Sequence, residues 1–367
     1  MRLHLVFVVS LGLAVTACSG RSSIQLAPEL AGIGANERVY VASTRAFLNG
    51  NFTDERLEGL DYLRFDVSVP PDRLPGEVEL ADATPNPNRE FLTTAADRYN
   101  GPSTFRSALA GELASRPPEQ REVMLFVHGY NSTFADGLYR TAQIRYDFEI
   151  PGIPVHYAWS SAGHPFGYAY DRDSALFARD GLETLISEIS AVPGARMIVI
   201  AHSMGSSMVM EVLRQLRIGN RDDVIADIAG IALLSPDVDI DVFRSQAHRI
   251  GHLPQPFFIF TSRRDRALLI AALITGQRSR LGTLGEVDDV SEFEVTLIDT
   301  SEFRGGETDS MNHFTAASSA AMVQLLRQIP AVNLALANDP SQQLDLLQGT
   351  VLTVRNATQI ILAPQVP

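Results

Sequence analysis

The segment MIVIAHSMGSSMVM, Met197 to Met210, constrains the fold more than any other stretch of the chain. Met197–Ala201 is an apolar run that reads as a buried strand. Ser206–Arg217 reads as a helix, with Val209, Val212, Leu213 and Leu216 on one face. Between them lies Ala201-His202-Ser203-Met204-Gly205, a corner of small residues around a serine. A strand that passes straight into a helix implies a strand–helix layering. The corner is either a crowded turn or a device that holds Ser203 out.

The surrounding pattern repeats that alternation. Strands are expected at Val123–Val127, Val155–Trp159, Ile228–Leu234, Phe257–Thr261 and Phe293–Ile298, with helices at Thr133–Asp147 and Phe177–Ser190. A further helix opens at His313 and runs to about Gln328. Apolar strands alternating with helices predict an α/β fold, a mostly parallel sheet covered on both faces. Upstream, Arg38–Ser43 and Leu63–Val69 alternate like strands, and Pro70-Pro71, Pro75 and the TPNPN run at Thr84–Asn88 mark loops. The expected organisation is one domain over 36–330. Residues 36–120 supply N-terminal strands and loops, 121–330 form the core, and 331–367 form a tail in which Val351–Val354 and Gln359–Leu362 carry a strand-like pattern.

In that setting, Ala-His-Ser-Met-Gly matches the G-x-S-x-G corner that exposes a nucleophilic serine above a sheet, with Ala201 in the first small-residue position. A serine hydroxyl needs a base. All 30 basic residues are Arg, so a lysine base, a Schiff base and a phosphate-loop lysine are excluded. Histidine remains. Where the chain order is Ser, acid, His, only His248, His252 and His313 follow Ser203. Of these, His313 alone follows the last clear strand, at the end of the loop 301–312 that leads into a helix. The acid belongs at a strand end between them. Asp265, after PFFIFTS, is the preferred candidate, and Asp237, in SPDVD after Leu234, is the alternative. Asp237 and Asp239 also suit turns and helix caps. Backbone N–H groups for a developing oxyanion are expected from Met204 and from Tyr130 or Asn131, after the strand ending His128-Gly129.

These motifs resemble the α/β-hydrolase esterase and lipase superfamily. LFVHGYNSTF (Leu125–Phe134), YAYDRDSALFARD (Tyr168–Asp180), IAHSMG, LLSPDVD, TSRRDRAL, and the earlier VYVASTR and VSVPP are similar to an uncharacterised bacterial branch, over about Arg38–Gln328. The resemblance implies a Ser203–Asp265–His313 triad and no particular substrate. Ser160 stands where relatives usually carry proline. Carboxylic ester hydrolysis is the leading expectation. The alternatives are a thioesterase, acyltransferase or peptidase with the same triad, or a binding scaffold without turnover.

No cofactor or metal is expected. His248 and His252 have the i,i+4 spacing of zinc ligands but lack the accompanying Glu. The net charge of −13 argues against nucleic acid as a partner. Tyr130, Phe166, Tyr168 and Tyr170 are candidates for an acyl pocket, and 163–171 and 266–290 are candidate lids. The N-terminus reads as an address. An apolar run, Leu5–Val15, too short to span a bilayer, leads to Val15-Thr16-Ala17-Cys18. This resembles a bacterial lipoprotein signal over 1–18, which implies Cys18 as the lipidated residue, with 19–35 as a tether. The expectation is membrane attachment through lipid in the cell envelope, with Ser19 favouring the outer membrane.

Overall fold

The computed structural model describes residues 24, 26–81, 84–276, 279–307, 309–327 and 349–363. Cys18 and the signal segment lie outside the described residues. Two long strands, β1 (Ala35–Leu48) and β2 (Asn51–Val69), form an antiparallel hairpin that turns at Asn49-Gly50, a dipeptide suited to two-residue turns. Strand β3 (Leu92–Tyr99) pairs antiparallel with β2 and is followed by helix α1 (Pro102–Ala114). Then come β4 (Glu122–Val127), α2 (Phe134–Asp147), β5 (Ile153–Ala158), α3 (Tyr168–Ser190), β6 (Arg196–His202) and α4 (Met204–Ile218). The series continues through α5 (Asp222–Ala226), β7 (Ile228–Leu234), α6 (Ile240–Ile250), β8 (Phe257–Thr261), α7 (Arg266–Thr275) and β9 (Thr296–Asp299). It closes with α8 (Thr315–Ser318), α9 (Ala320–Arg327), β10 (Gly349–Val354) and β11 (Ala357–Leu362).

Among the described residues the strands form one sheet in the order β10-β11-β9-β8-β7-β6-β4-β5-β1-β2-β3. Pairing is parallel from β1 through β9 to β11, with antiparallel strands at the two edges. The apolar runs alternate between two faces, as a pleat requires. Val123, Leu125 and Val127 of β4, with Met197, Val199 and Ala201 of β6, pack into a core that includes α1, α3, α4 and α6. Met124, Phe126, Ile198 and Ile200 pack on the opposite face, towards α2 and α9. The connection after β4 runs out to β5, and the one after β6 runs out to β7, so the chain diverges at the neighbouring C-terminal ends of β4 and β6. Such a switch point opens a crevice.

The C-terminal segments contribute to the sheet rather than forming a tail outside it. Strand β11 pairs parallel with β9, and β10 closes the edge. The expected His313–Gln328 helix is instead two short helices, α8 and α9, beginning after His313. No helix among the described residues is long and apolar enough to cross a membrane.

Candidate active site

Ser203 stands between the end of β6 and the first residue of α4. Its backbone has φ 51° and ψ −120°, a left-handed conformation that strains a residue with a Cβ. The corner is locked by Ser203 N donating to Leu234 O of β7 at 2.9 Å. Two glycines let other backbone approach. A Cβ on Gly205 would lie 2.5 Å from His128 O and 2.7 Å from Val127 O. A Cβ on Gly129 would lie 2.7 Å from both Ser203 Cβ and His202 Nδ1. The loop after β4 therefore rests directly on the serine.

His313 Nδ1 donates to Asp265 Oδ2 at 2.8 Å. A carboxylate only accepts, so the proton sits on Nδ1 of the neutral ring and leaves the Nε2 lone pair available. Asp265 is fully buried and also serves as a helix cap, since its Oδ1 accepts from Leu268 N at 3.0 Å at the start of α7. Burial works against a charged His313. The carboxylate of Asp265, through charge and hydrogen bond, with Asp237 and Asp309 behind it, outweighs burial, so the ring's pKa is raised above its ordinary value.

Two further residues hold His313, and chain order alone points to neither. Asp309 Oδ1 accepts from His313 N at 2.8 Å, and its Oδ2 accepts from Phe314 N at 2.9 Å and Ser318 Oγ at 3.0 Å. His202 faces His313 O through Nε2 at 3.1 Å, with the two ring centroids 4.7 Å apart. Burial, together with the neighbouring His313, pushes the His202 pKa well down, so it is a neutral ring that donates Nε2–H to that carbonyl. An acid four residues before a histidine is the signal that marks Asp309.

Asp237 occupies a different setting. Its Oδ2 accepts from Tyr168 Oη at 2.8 Å, and its Oδ1 lies 3.2 Å from Arg280 Nε. It is paired with an arginine and makes no bond to His313. Asp239 is the cap of α6, accepting from Asp241 N and Val242 N.

The expected oxyanion donors divide. Met204 N–H is the first of α4, where no intrahelical acceptor exists and the helix dipole is positive. Asn131 N–H instead donates to Asp171 Oδ2 at 3.0 Å, which corrects its assignment as an oxyanion donor. Asp171, buried at the start of α3, also accepts from Ser161 Oγ and Ala162 N, both at 2.6 Å. Arg45 of β1, fully buried, donates to Ser132 O at 2.6 Å and Ser161 O at 3.0 Å. The two loops beside the serine are thus tied to each other and to the N-terminal hairpin. Ser160, the departure from proline, donates to Thr44 O at 2.8 Å in the same junction.

Ser203, His313, Asp309, Asp237, Tyr130 and Tyr168 line one cavity of about 430 Å³. One wall is α7, through Leu268, Ile270, Ala271 and Ile274, and Pro165 from segment 163–171 also lines it. Phe166 is 95 % exposed, and Tyr170 donates to Asp54 O, so neither lines this cavity. No group of three or more metal-ligating side chains occurs among the described residues. Helix α6 ends at Ile250, before His252, and His248 pairs with Glu292 at 3.2 Å.

Similar solved structures include a yden-like hydrolase from Pectobacterium atrosepticum (16 % identity, TM-score 0.33, covering 63 % of this chain and 98 % of that one). Others are a CIB-like hydrolase from Thermoplasma acidophilum (14 %, 0.35, 80 % and 99 %) and a thermostable esterase from Pseudomonas putida (13 %, 0.31, 62 % and 88 %). No curated protein matches the chain. A family model does match, over residues 103–329, which span the elbow, the strand ends and His313. The chain belongs to that family, described as alpha/beta hydrolase of unknown function (DUF900).

Proposed function

We propose that the protein is a serine hydrolase of carboxylic esters. The carrying observation is the 2.8 Å bond from His313 Nδ1 to Asp265, in the cavity that Ser203 lines from its strained corner. In this reading Ser203 Oγ attacks the ester carbonyl, and its proton passes to His313 Nε2. Asp265 holds the ring and stabilises the imidazolium. The oxyanion receives the N–H groups of Met204 and Tyr130, aimed before the reaction begins. His313 then protonates the departing alkoxide. Water, deprotonated by the same Nε2, releases the acid and restores Ser203. The Ser203–His313 hydrogen bond forms as substrate fills the cavity, since such bonds are commonly long without it.

The test is labelling with a fluorophosphonate, mapped to the modified residue. Rapid modification of Ser203, lost in His313→Ala with the circular dichroism unchanged, is expected. Equal, slow labelling of both proteins would reject a working triad and favour a scaffold without turnover. A parallel panel of esters, thioesters and amides assigns the bond that is cleaved.

The address is proposed from the N-terminal motif alone. Cys18 is the only cysteine and stands at the cleavage position of a lipoprotein signal, which suggests a lipid anchor in the cell envelope and, with Ser19 next, the outer membrane. Mass spectrometry of the mature protein from membranes should find acylated Cys18, and Cys18→Ser should shift the protein to the soluble fraction. An unmodified Cys18 in membrane-bound mature protein rejects the anchor.

A further inference from the structure

Arg140 of α2 lines the same cavity as Ser203 and His313. Its Nη1 donates to Gly76 O at 2.9 Å and Gln143 Oε1 at 2.8 Å, and its guanidinium lies 4.7 Å above the ring of Phe314. Among the described residues no carboxylate forms an ion pair with it. Acids are not scarce: 43 acidic residues face 30 basic ones. The nearby ones are committed elsewhere. Asp147 bonds Arg73 at 3.0 Å, and Asp136 closes the capping box of α2 with Thr133. Asp237 pairs with Arg280, and Asp309 takes three protein donors. Burial lowers the Arg140 pKa to about 10, so it remains charged near neutrality.

Asp309, Asp136 and Asp147 favour the charge of Arg140 through space, but none bonds it, so its fork is open to a ligand anion. Guanidinium offers a planar fork that matches an oxyanion. Asp309 and Asp237 line the same cavity and would repel a dianion more than a monoanion, which favours carboxylate over phosphate. We infer that Arg140 receives a carboxylate carried by the substrate, so that the preferred ester is a monoanion whose remaining chain lies along Leu268, Ile270, Ala271 and Ile274. This rests on the serine-hydrolase reading for turnover, though not for binding.

The test compares p-nitrophenyl hemisuccinate with the near-isosteric neutral p-nitrophenyl butyrate. The wild type should show higher kcat/KM for the hemisuccinate. Arg140→Gln should lower the hemisuccinate-to-butyrate ratio by roughly 10- to 100-fold, the worth of a charge-assisted bond, and Arg140→Lys should restore part of it. A wild-type ratio at or below one, or an Arg140→Gln variant that loses both activities together, would overturn the assignment, the latter marking a merely structural arginine. A second arm needs no catalysis. Calorimetry on Ser203→Ala should detect monomethyl succinate, with binding lost when Arg140→Gln is added. Tighter binding of methyl phosphate would move the ligand class to phosphate, against the inference. If Ser203 resists fluorophosphonate and no ester is turned over, the hydrolase reading fails, while the calorimetric arm still decides Arg140.

Discussion

Two aspartates stand beyond the ends of neighbouring strands, Asp237 after β7 and Asp265 after β8, and both are buried beside the cavity of Ser203. Their partners separate them. Asp265 gives one oxygen to His313 and the other to the backbone of α7, and among the described residues no arginine forms an ion pair with it. Asp237 gives one oxygen to Tyr168 and sets the other against Arg280. A carboxylate neutralised by an arginine is poorly suited to hold an imidazolium. Residue type and strand position are shared by the two acids. What differs is which partner lies within reach: Arg280, 43 positions downstream, for Asp237, and His313, 48 positions downstream, for Asp265.

Breaking each pairing should therefore have unequal effects. The largest is expected from Asp265→Asn, which removes the acceptor that fixes the His313 tautomer. Ester turnover should fall by about four orders of magnitude in kcat, measured with the best substrate of the panel. Next is Arg280→Leu. It leaves Asp237 as an uncompensated buried charge and should cost about 3–5 kcal/mol of stability in urea unfolding. It should also raise the pH at which His313 loses its proton, because Asp237 already favours the protonated ring. Asp237→Asn should cost less than about tenfold in kcat per folded molecule, under about 1.4 kcal/mol of barrier, and should move the acid limb of the pH–rate profile downwards. A kcat loss there as large as that of Asp265→Asn would erase the distinction.

The smallest effect is one of stability against pH. His313 has a raised pKa in the folded chain, so it binds its proton more tightly folded than unfolded. Its contribution to stability is fully present below the ordinary value of about 6.5 and is lost as pH rises through the folded pKa. Activity needs the neutral ring and should rise across the same window. Thermal unfolding of wild type against His313→Ala should converge as pH passes upward through that window.

Much of this arrangement is legible in the chain. The apolar runs at 123–127, 228–234 and 257–261 become β4, β7 and β8 nearly residue for residue, because strands buried on both faces need continuous apolar sequence. Ser203 and His313 are found from local pattern and chain order. The rest depends on contacts that no period reports. Helix α3 begins at Tyr168 rather than Phe177 because its first turns bury the polar Asp171, which bonds the loop above it, and Ser174, whose Oγ accepts from Arg56 of β2. Strand β11 is held by pairing with β9, some 60 residues earlier. Asn131 reads as an oxyanion donor until Asp171 takes its N–H. Asp309 and His202 bond His313 through its backbone atoms, and a search for side-chain chemistry does not register such roles.

The central claim is that His313, held by Asp265 and not by Asp237, activates Ser203. Its most direct measurement is the rate of fluorophosphonate labelling of Ser203 across the neutral pH range in wild type, Asp265→Asn and Asp237→Asn. The wild-type rate should climb with pH through a single step above the ordinary histidine value. That step should persist at slightly lower pH in Asp237→Asn, and labelling should collapse at every pH in Asp265→Asn. Retained labelling in Asp265→Asn with collapse in Asp237→Asn would contradict the claim and transfer the acid to Asp237.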